Sequence, residues 1–526
     1  MKAAGALSLW LALVAGAATV FAFAPFGLPA LPVVTVASII LLWQNAPSPR
    51  AAAWVGFAFG IGLFGVGASW VFIALNTFGG MPLPLAAIGT ASFCAFLALY
   101  PAAVGWIATR WTAQGSWARA LAAAALWPLA EWARSIVFTG FPWLSLGYAA
   151  LPGGRPTAFA GYAAIGGVFL VSLAIALVAA ALALTIDAAA AAARRRAVAW
   201  AGAALVIVAT GAALGRIEWT STAGAPLAVS LIQGNVAQEI KFDSDFSEKT
   251  FDLYTGLVAA SRGRLVVLPE SAFPVFADEV PDAVLLRVIS AVVPRNGDAL
   301  IGMFTSEPAL TPDGTPRYYN SVVTIGTARP QLYRKQHLVP FGETIPLEPV
   351  VGWLIRKVLA IPLASQARGD PDPAPLDLAG QRVAVDICYE DAFGSELARA
   401  LPEATLLVNV TNDAWYGRSL AALQHNQIAS MRAIETGRPL LRATNTGITS
   451  AIGHDGREIA RLPWFTRGIL EIEIVGRQGT TPYVRFGDAL TVALAAALLL
   501  LAYVSRGTRM RAHRGTGMSA AGSAEA

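Results

Sequence analysis

Charge is what this sequence lacks: Asp, Glu, Lys and Arg make up 13% of its 526 residues, against about 25% in soluble domains. With 56% hydrophobic residues, that shortage excludes an ordinary soluble enzyme. Cysteine is nearly absent too. Cys94 lies in an apolar run and Cys388 in the polar middle of the chain, so no intrachain disulfide is expected and Cys388 reads as a free thiol. The four histidines (His337, His425, His454 and His513) form no HExxH-like pair, and no CxxC spacing occurs, so neither metal nor cofactor is implied. Basic residues collect beside apolar runs, as in Arg194-Arg195-Arg196 and Arg506 to Arg514. That placement orients membrane helices and does not suggest a nucleic-acid surface.

Long apolar runs are present instead. Candidate spans of about 20 residues lie at Leu7 to Phe23, Leu28 to Trp43, Ala52 to Leu75, Leu83 to Ala108, Ala118 to Phe138, Phe159 to Ile186, Ala197 to Leu214 and Phe486 to Val504. Counting from a cytoplasmic amino terminus puts Arg50, Arg110, Arg119, the Arg194 cluster and the Arg506 to Arg514 tail on one side, as the positive-inside rule requires; Arg134 and Arg155 are mild exceptions. The polar stretch from about Ala225 to Gly476 then faces outward. The first run also fits a signal peptide, with Lys2 and Ala22-Phe23-Ala24, but the next apolar run follows at once. The expected organisation is a membrane domain over 1–220 with about seven transmembrane helices, a catalytic domain over 225–477, a final span at 485–505 and a cytoplasmic tail over 506–526.

Within the polar stretch, short runs rich in β-branched residues alternate with helical patterns. Pro226 to Ile232, Arg264 to Leu268, Ala299 to Met303, Val322 to Ile325, Val383 to Ile387 and Thr405 to Val410 read as strands, and the alternation argues α/β architecture. Ala421 to Thr436 reads as a helix stopped by Gly437 and Pro439. Leu440 to Ala443 and Thr449 to Ile452 follow as strands, and His454-Asp455-Gly456 turns toward another.

Three reactive side chains stand at strand ends, where α/β sheets assemble their sites. Glu270 follows Leu265 to Pro269, Lys335 follows Tyr333-Arg334, and Cys388 follows Val383 to Ile387. A carboxylate can take the thiol proton, a lysine can favour the thiolate and stabilise an oxyanion, and the thiolate can attack a carbonyl. Each also has a plainer reading: Cys388 as a small buried hydrophobe, Pro269-Glu270 as a turn, Lys335 as a solvated charge.

The surrounding words carry more. Pro269 to Pro274, Tyr318-Tyr319-Asn320-Ser321, Tyr333 to Glu343, Cys388-Tyr389-Glu390, Asn412 to Gly417, Arg438 to Thr449 and, between spans, Phe138 to Trp143 closely resemble the apolipoprotein N-acyltransferases, a family of the nitrilase superfamily. The resemblance covers nearly the whole chain. It implies a polytopic α-helical membrane domain plus an α/β nitrilase-like αββα sandwich, with Glu270 as general base, Lys335 as oxyanion stabiliser and Cys388 as nucleophile. Glu343, Tyr389 and Glu390 resemble the family's supporting residues, and Trp415 one that shapes the entrance. Phe242 stands where the family often has tryptophan. His337 reads as structural, orienting the lysine loop. Pro346 to Pro362 is read either as an interfacial lid or as a buried helix.

The resemblance further implies a ping-pong exchange: Cys388 takes an acyl chain from a phospholipid, phosphatidylethanolamine, and passes it to the amino terminus of a diacylglyceryl apolipoprotein. The setting is the bacterial inner membrane with the catalytic domain in the periplasm. A tethered amidase would need only one anchor, and about eight spans argue against it. A transporter would carry ionisable residues in its spans; here the spans are nearly free of them apart from Glu131 and Arg134, spaced to pair along one helix.

Overall fold

The computed structural model describes residues 5–241, 244–308, 316–345 and 366–519, with side chains undescribed at 240, 244–245 and 506–519. Phe242 and the Pro346 to Pro362 segment lie outside the described residues.

Helices occupy every apolar run. They are α1 (Ala6–Thr19), α2 (Leu31–Gln44), α3 (Pro49–Gly67), α4 (Leu83–Trp111), α5 (Trp117–Arg134), α6 (Ala163–Ala190) and α7 (Arg194–Leu214), before the polar stretch. Among the described residues, four helices are long and apolar enough to cross a membrane: Pro49–Gly67, Leu83–Trp111, Ala158–Ala190 and Arg194–Leu214. The α2 helix, with 14 residues, extends only about 21 Å against a hydrocarbon core of about 30 Å. Apolar side chains such as Val198, Leu205 and Val206 of α7 are exposed, as suits a surface solvated by lipid.

Close helix packing rests on small residues. A Cβ at Gly56 or Gly60 of α3 would lie 2.2 Å from Pro101 O or 2.6 Å from the Ala98 Cα of α4. Arg119, counted in the sequence among the charges on the cytoplasmic side, is buried and donates to Trp43 O (3.1 Å), Gln44 O (3.3 Å) and Thr112 O (3.2 Å), so it joins the carboxyl ends of α2 and α4. Glu131 and Arg134 do not simply pair along α5 either. Arg134 donates to Phe141 O and Trp143 O, both at 2.5 Å, and Glu131 accepts from Leu146 N at 2.8 Å. A loop of unpaired backbone groups inside an apolar bundle needs these partners more than the two charges need each other.

The polar stretch folds as two six-stranded sheets. The first, in the order β12-β1-β2-β3-β4-β5, contains β1 (Thr220–Gln233), β2 (Leu265–Val267), β3 (Asp298–Glu307), β4 (Arg317–Gly326), β5 (Leu332–Arg334) and β12 (Gly468–Gly479). The second, in the order β11-β10-β9-β8-β7-β6, contains β6 (Leu376–Leu378), β7 (Gln381–Ile387), β8 (Leu406–Thr411), β9 (Leu440–Thr444), β10 (Ser450–Ile452) and β11 (Glu458–Arg461). Central strands β1, β2 and β3 run parallel, as do β7, β8 and β9. They are apolar on both faces because both faces are covered. Val229, Leu231, Leu265 and Val267 meet Val383, Val385, Leu406 and Val408 between the sheets.

Two helices, α8 (Ser244–Ala260) and α9 (Asp282–Val292), cover the first sheet: Tyr254, Val258, Val284 and Val288 pack on Val266, Leu268 and Ile301. On the second sheet lies α10 (Leu420–Thr436), whose Ala429 and Ala433 meet Leu407, Leu440 and Ile452. The result is an αββα sandwich. The opposite face of α10 carries Ala421, Ile428 and Met431 into the core of the membrane helices, so this helix belongs to both halves. The last described element is α11 (Ala489–Ser519).

If the α3–α4 crossing depends on backbone approach, Gly56→Leu will lower the apparent Tm of the detergent-purified protein by roughly 5 °C or more. Gly65→Leu, where a Cβ meets nothing within 4 Å, will leave it unchanged.

Candidate active site

Glu270, Lys335 and Cys388 each leave the carboxyl end of a strand: β2, β5 and β7. The structure brings them together. Lys335 Nζ lies 2.8 Å from Glu343 Oε1 and 3.7 Å from Glu270 Oε1. Asn320, from β4, donates to the same two oxygens at 2.7 Å (Glu270) and 3.4 Å (Glu343). Glu343 Oε2 accepts from Val339 N at 2.9 Å, which ties the carboxylate to the loop that carries the lysine. Glu270 Oε1 is thus pinned, while its Oε2 is buried without a hydrogen-bond partner among the described residues. An orphan carboxylate oxygen in a native site calls for an explanation.

Cys388 begins the turn after β7 with φ +56°, a left-handed conformation that costs a non-glycine residue about 1–3 kcal/mol. Glu390 pays much of that constraint by accepting from Ile387 N (2.6 Å), Gln336 N (2.6 Å), His337 N (3.0 Å) and Tyr333 OH (2.8 Å). One carboxylate therefore fastens the cysteine turn to the lysine loop. Tyr389 points the other way, donating to Gly140 O at 2.8 Å and stacking on Trp143 with ring centroids 6.0 Å apart. His337 accompanies it: Nε2 meets Thr139 O at 2.9 Å, Nδ1 meets Glu396, and the ring stacks on Phe393 at 3.6 Å. Trp415 is 40% exposed, 6.2 Å from the ring of Phe78 on the membrane side.

Burial, then the Glu270 carboxylate and more weakly Asp413, push the Cys388 thiol well above its ordinary range, with Lys335 opposing them. Burial works against charge on Lys335, but Glu343, Glu270 and Cys388 outweigh it and raise its proton affinity. The resting site is a neutral thiol beside a firmly charged ammonium, so a thiolate forms only when a base takes the proton.

Motif reading missed several polar residues around this centre. Lys241 is buried and donates to Glu270 O at 2.9 Å; burial lowers its pKa to about 8, with Glu270 and Cys388 opposing. Asn409 donates to Cys388 O at 3.2 Å. Arg442 Nη1 meets Asp391 Oδ2 and Asn409 Oδ1, each at 2.8 Å, and Arg442 Nη2 meets Asp413 Oδ2 at 3.2 Å. His425 of α10 lies between the same two aspartates. Asn320, Asp413 and Arg442 sit within the recognised words; His425 has no local signal.

The sandwich and its strand-end site define a membrane-embedded protein of the carbon–nitrogen hydrolase class, and residues 182–483 match the Carbon-nitrogen hydrolase family model. Residues 15–181 match the model of the Apolipoprotein N-acyltransferase N-terminal domain. Curated proteins named apolipoprotein N-acyltransferase are similar throughout: one from Nitrosomonas europaea is 47% identical, covering 92% of this chain and 95% of its own. Another, from Chromobacterium violaceum, is 41% identical over 93% and 92%. An amidase of the nitrilase superfamily from Nesterenkonia AN1 is a structural neighbour at 17% identity and TM-score 0.34, covering 49% of this chain and 93% of its own. The chain belongs to the apolipoprotein N-acyltransferase family.

Lys335→Met removes the cation that opposes the rise in thiol pKa. Iodoacetamide labelling of Cys388 at pH 8, followed by peptide mapping to separate it from Cys94, is expected to slow by about tenfold or more. An unchanged rate would mean that the lysine does not act on the thiol.

Proposed function

We propose that the chain transfers a fatty acyl group from a phospholipid to the N-terminal α-amine of an S-diacylglyceryl-cysteine apolipoprotein, through a thioester on Cys388. The observation that carries this reading is the Glu270 carboxylate: one oxygen held by Asn320 and faced by Lys335, the other buried without a hydrogen-bond partner among the described residues. Such an oxygen is a proton acceptor in waiting.

In the first half-reaction the Cys388 proton passes to Glu270 as sulfur attacks the ester carbonyl. The Lys335 ammonium offsets charge on the developing oxyanion. The ester C–O bond then breaks, Glu270 returns the proton to the leaving alkoxide, and a lysophospholipid departs. In the second, the uncharged α-amine attacks the thioester and gives its proton to Glu270. The C–S bond breaks and the thiol is restored. An α-amine with pKa near ~8 is partly neutral at working pH, and exclusion of water protects the thioester while it waits. Glu343 and Glu390 hold the lysine loop and the cysteine turn, Tyr389 ties that turn to the membrane half, and Trp415 borders the entrance beside Phe78.

Both substrates are lipids of the bilayer, which accounts for so many apolar helices where one anchor would do. The donor proposed is phosphatidylethanolamine. The proposed arrangement is eight spans in the bacterial inner membrane with the sandwich on the periplasmic side, as the distribution of Arg50, Arg110 and the Arg194 cluster supports.

Full-length protein incubated with phosphatidylethanolamine carrying a labelled acyl chain is expected to gain that chain on Cys388. The adduct should be sensitive to hydroxylamine and absent in Cys388→Ala. Ammonia release from simple amides without any lipid adduct would instead support a tethered amidase.

A further inference from the structure

Among the described residues, one buried histidine has no use in the reaction above. His425 is 1% exposed. Its Nδ1 lies 2.8 Å from Asp413 Oδ1, and its Nε2 lies 2.8 Å from Asp391 Oδ1 and 3.2 Å from the carbonyl oxygen of Cys388. The second oxygens of both aspartates are taken by Arg442. Each carboxylate is therefore an acceptor toward the ring. A neutral imidazole would aim one lone pair at a carboxylate oxygen, whereas a doubly protonated ring donates to both. Two cations and two anions then balance within one buried cluster, which is how buried charge is tolerated.

We infer that His425 works as an imidazolium and is a positioning residue for the reaction, holding the carbonyl of Cys388 so that the left-handed turn keeps the thiol aimed. Asn409, itself held by Arg442, is the second donor to that carbonyl. The groups facing the ring come from four elements: Asp391 and Cys388 from the turn after β7, Asp413 from the turn after β8, Arg442 from β9, and the Trp143 ring at 5.1 Å from the membrane half. Burial and Arg442 oppose the proton, but the two aspartates raise the His425 pKa to about 9, and Asp413 is held down at about 2 against its burial by His425 and Arg442. The sign follows. The proton is kept below about pH 9 and lost above it, and when it is the Nε2 proton that leaves, the turn loses one of its two fastenings. The inference rests on Cys388 being the nucleophile.

The test uses full-length protein in phosphatidylethanolamine-containing nanodiscs, with nitrogen-15 in the histidine rings and the His425 signal assigned through His425→Gln. Wild type should show both ring nitrogens protonated at neutral pH. The rate of acyl-adduct formation on Cys388 should fall on the alkaline side in step with loss of that proton. Asp413→Asn removes one anionic partner, so both transitions should move to lower pH together, by about one unit or more. A residue with a merely structural role would leave the rate profile where it was. A singly protonated ring at neutral pH in wild type overturns the inference without any variant, as does a rate profile that stays fixed while the His425 titration moves. If no lipid adduct forms at any pH, yet iodoacetamide labelling of Cys388 changes in step with the His425 titration in both proteins, the positioning role stands and the acyl-transfer reading falls.

Discussion

The structure depends on one helix with polar side chains that is buried on every side. Within α10, Gln424 accepts from the indoles of Trp70 (3.2 Å) and Trp143 (3.0 Å) and donates to Gly67 O. Gln427 donates to Tyr148 O at 2.8 Å and accepts from Ala24 N at 3.0 Å, and Glu435 accepts from Val168 N at 2.7 Å. Breaks in membrane helices leave backbone groups that lipid cannot satisfy. Side chains of α10 satisfy them from the other domain, so each half completes the hydrogen bonding of the other. Removing one partner of such a buried bond costs about 1–3 kcal/mol, which makes the relative placement of the two halves a matter of energy and not of tethering.

That docking sets the geometry of the site. The membrane loop held by Glu131 and Arg134 presents Thr139 O to His337 and Gly140 O to Tyr389. His337 and Tyr389 flank Lys335 and Cys388 in sequence, so the membrane half touches both reactive loops. The electrostatics are equally constrained. A buried lysine stays charged only because Glu343 and Glu270 are placed against it, and a buried thiol stays neutral because nothing nearby fully offsets the cost of its anion. A thiol that is quiet at rest and reactive only when its proton moves suits the proposed exchange, in which the substrates arrive in turn.

Much of this was legible in the residues. Val383 to Ile387 and Thr405 to Val410 are apolar runs because their strands are covered on both faces, and they appear at Gln381–Ile387 and Leu406–Thr411. The reactive residues fall at strand ends for reasons of fold. What local pattern could not show is partnership across the chain. The i, i+3 spacing of Glu131 and Arg134 suggested a local pair, yet the demands of a buried loop decided their partners. His425 looked like one polar residue on an ordinary helix because its partners, Asp391 and Asp413, stand 34 and 12 residues away. Strand β12 alternates openly through Ile469 to Ile474 but carries no reactive residue, and a reading led by motifs passes over it.

The central claim is that acyl groups leave Cys388 for an amine and not for water. The most direct measurement isolates the acylated protein, free of donor lipid, and divides it between buffer alone and buffer with a diacylated lipopeptide bearing a free α-amine. The labelled chain is expected to persist on Cys388 in buffer and to move to the lipopeptide amine when it is offered. Release of the label as free fatty acid at the same rate with or without the lipopeptide would contradict that claim.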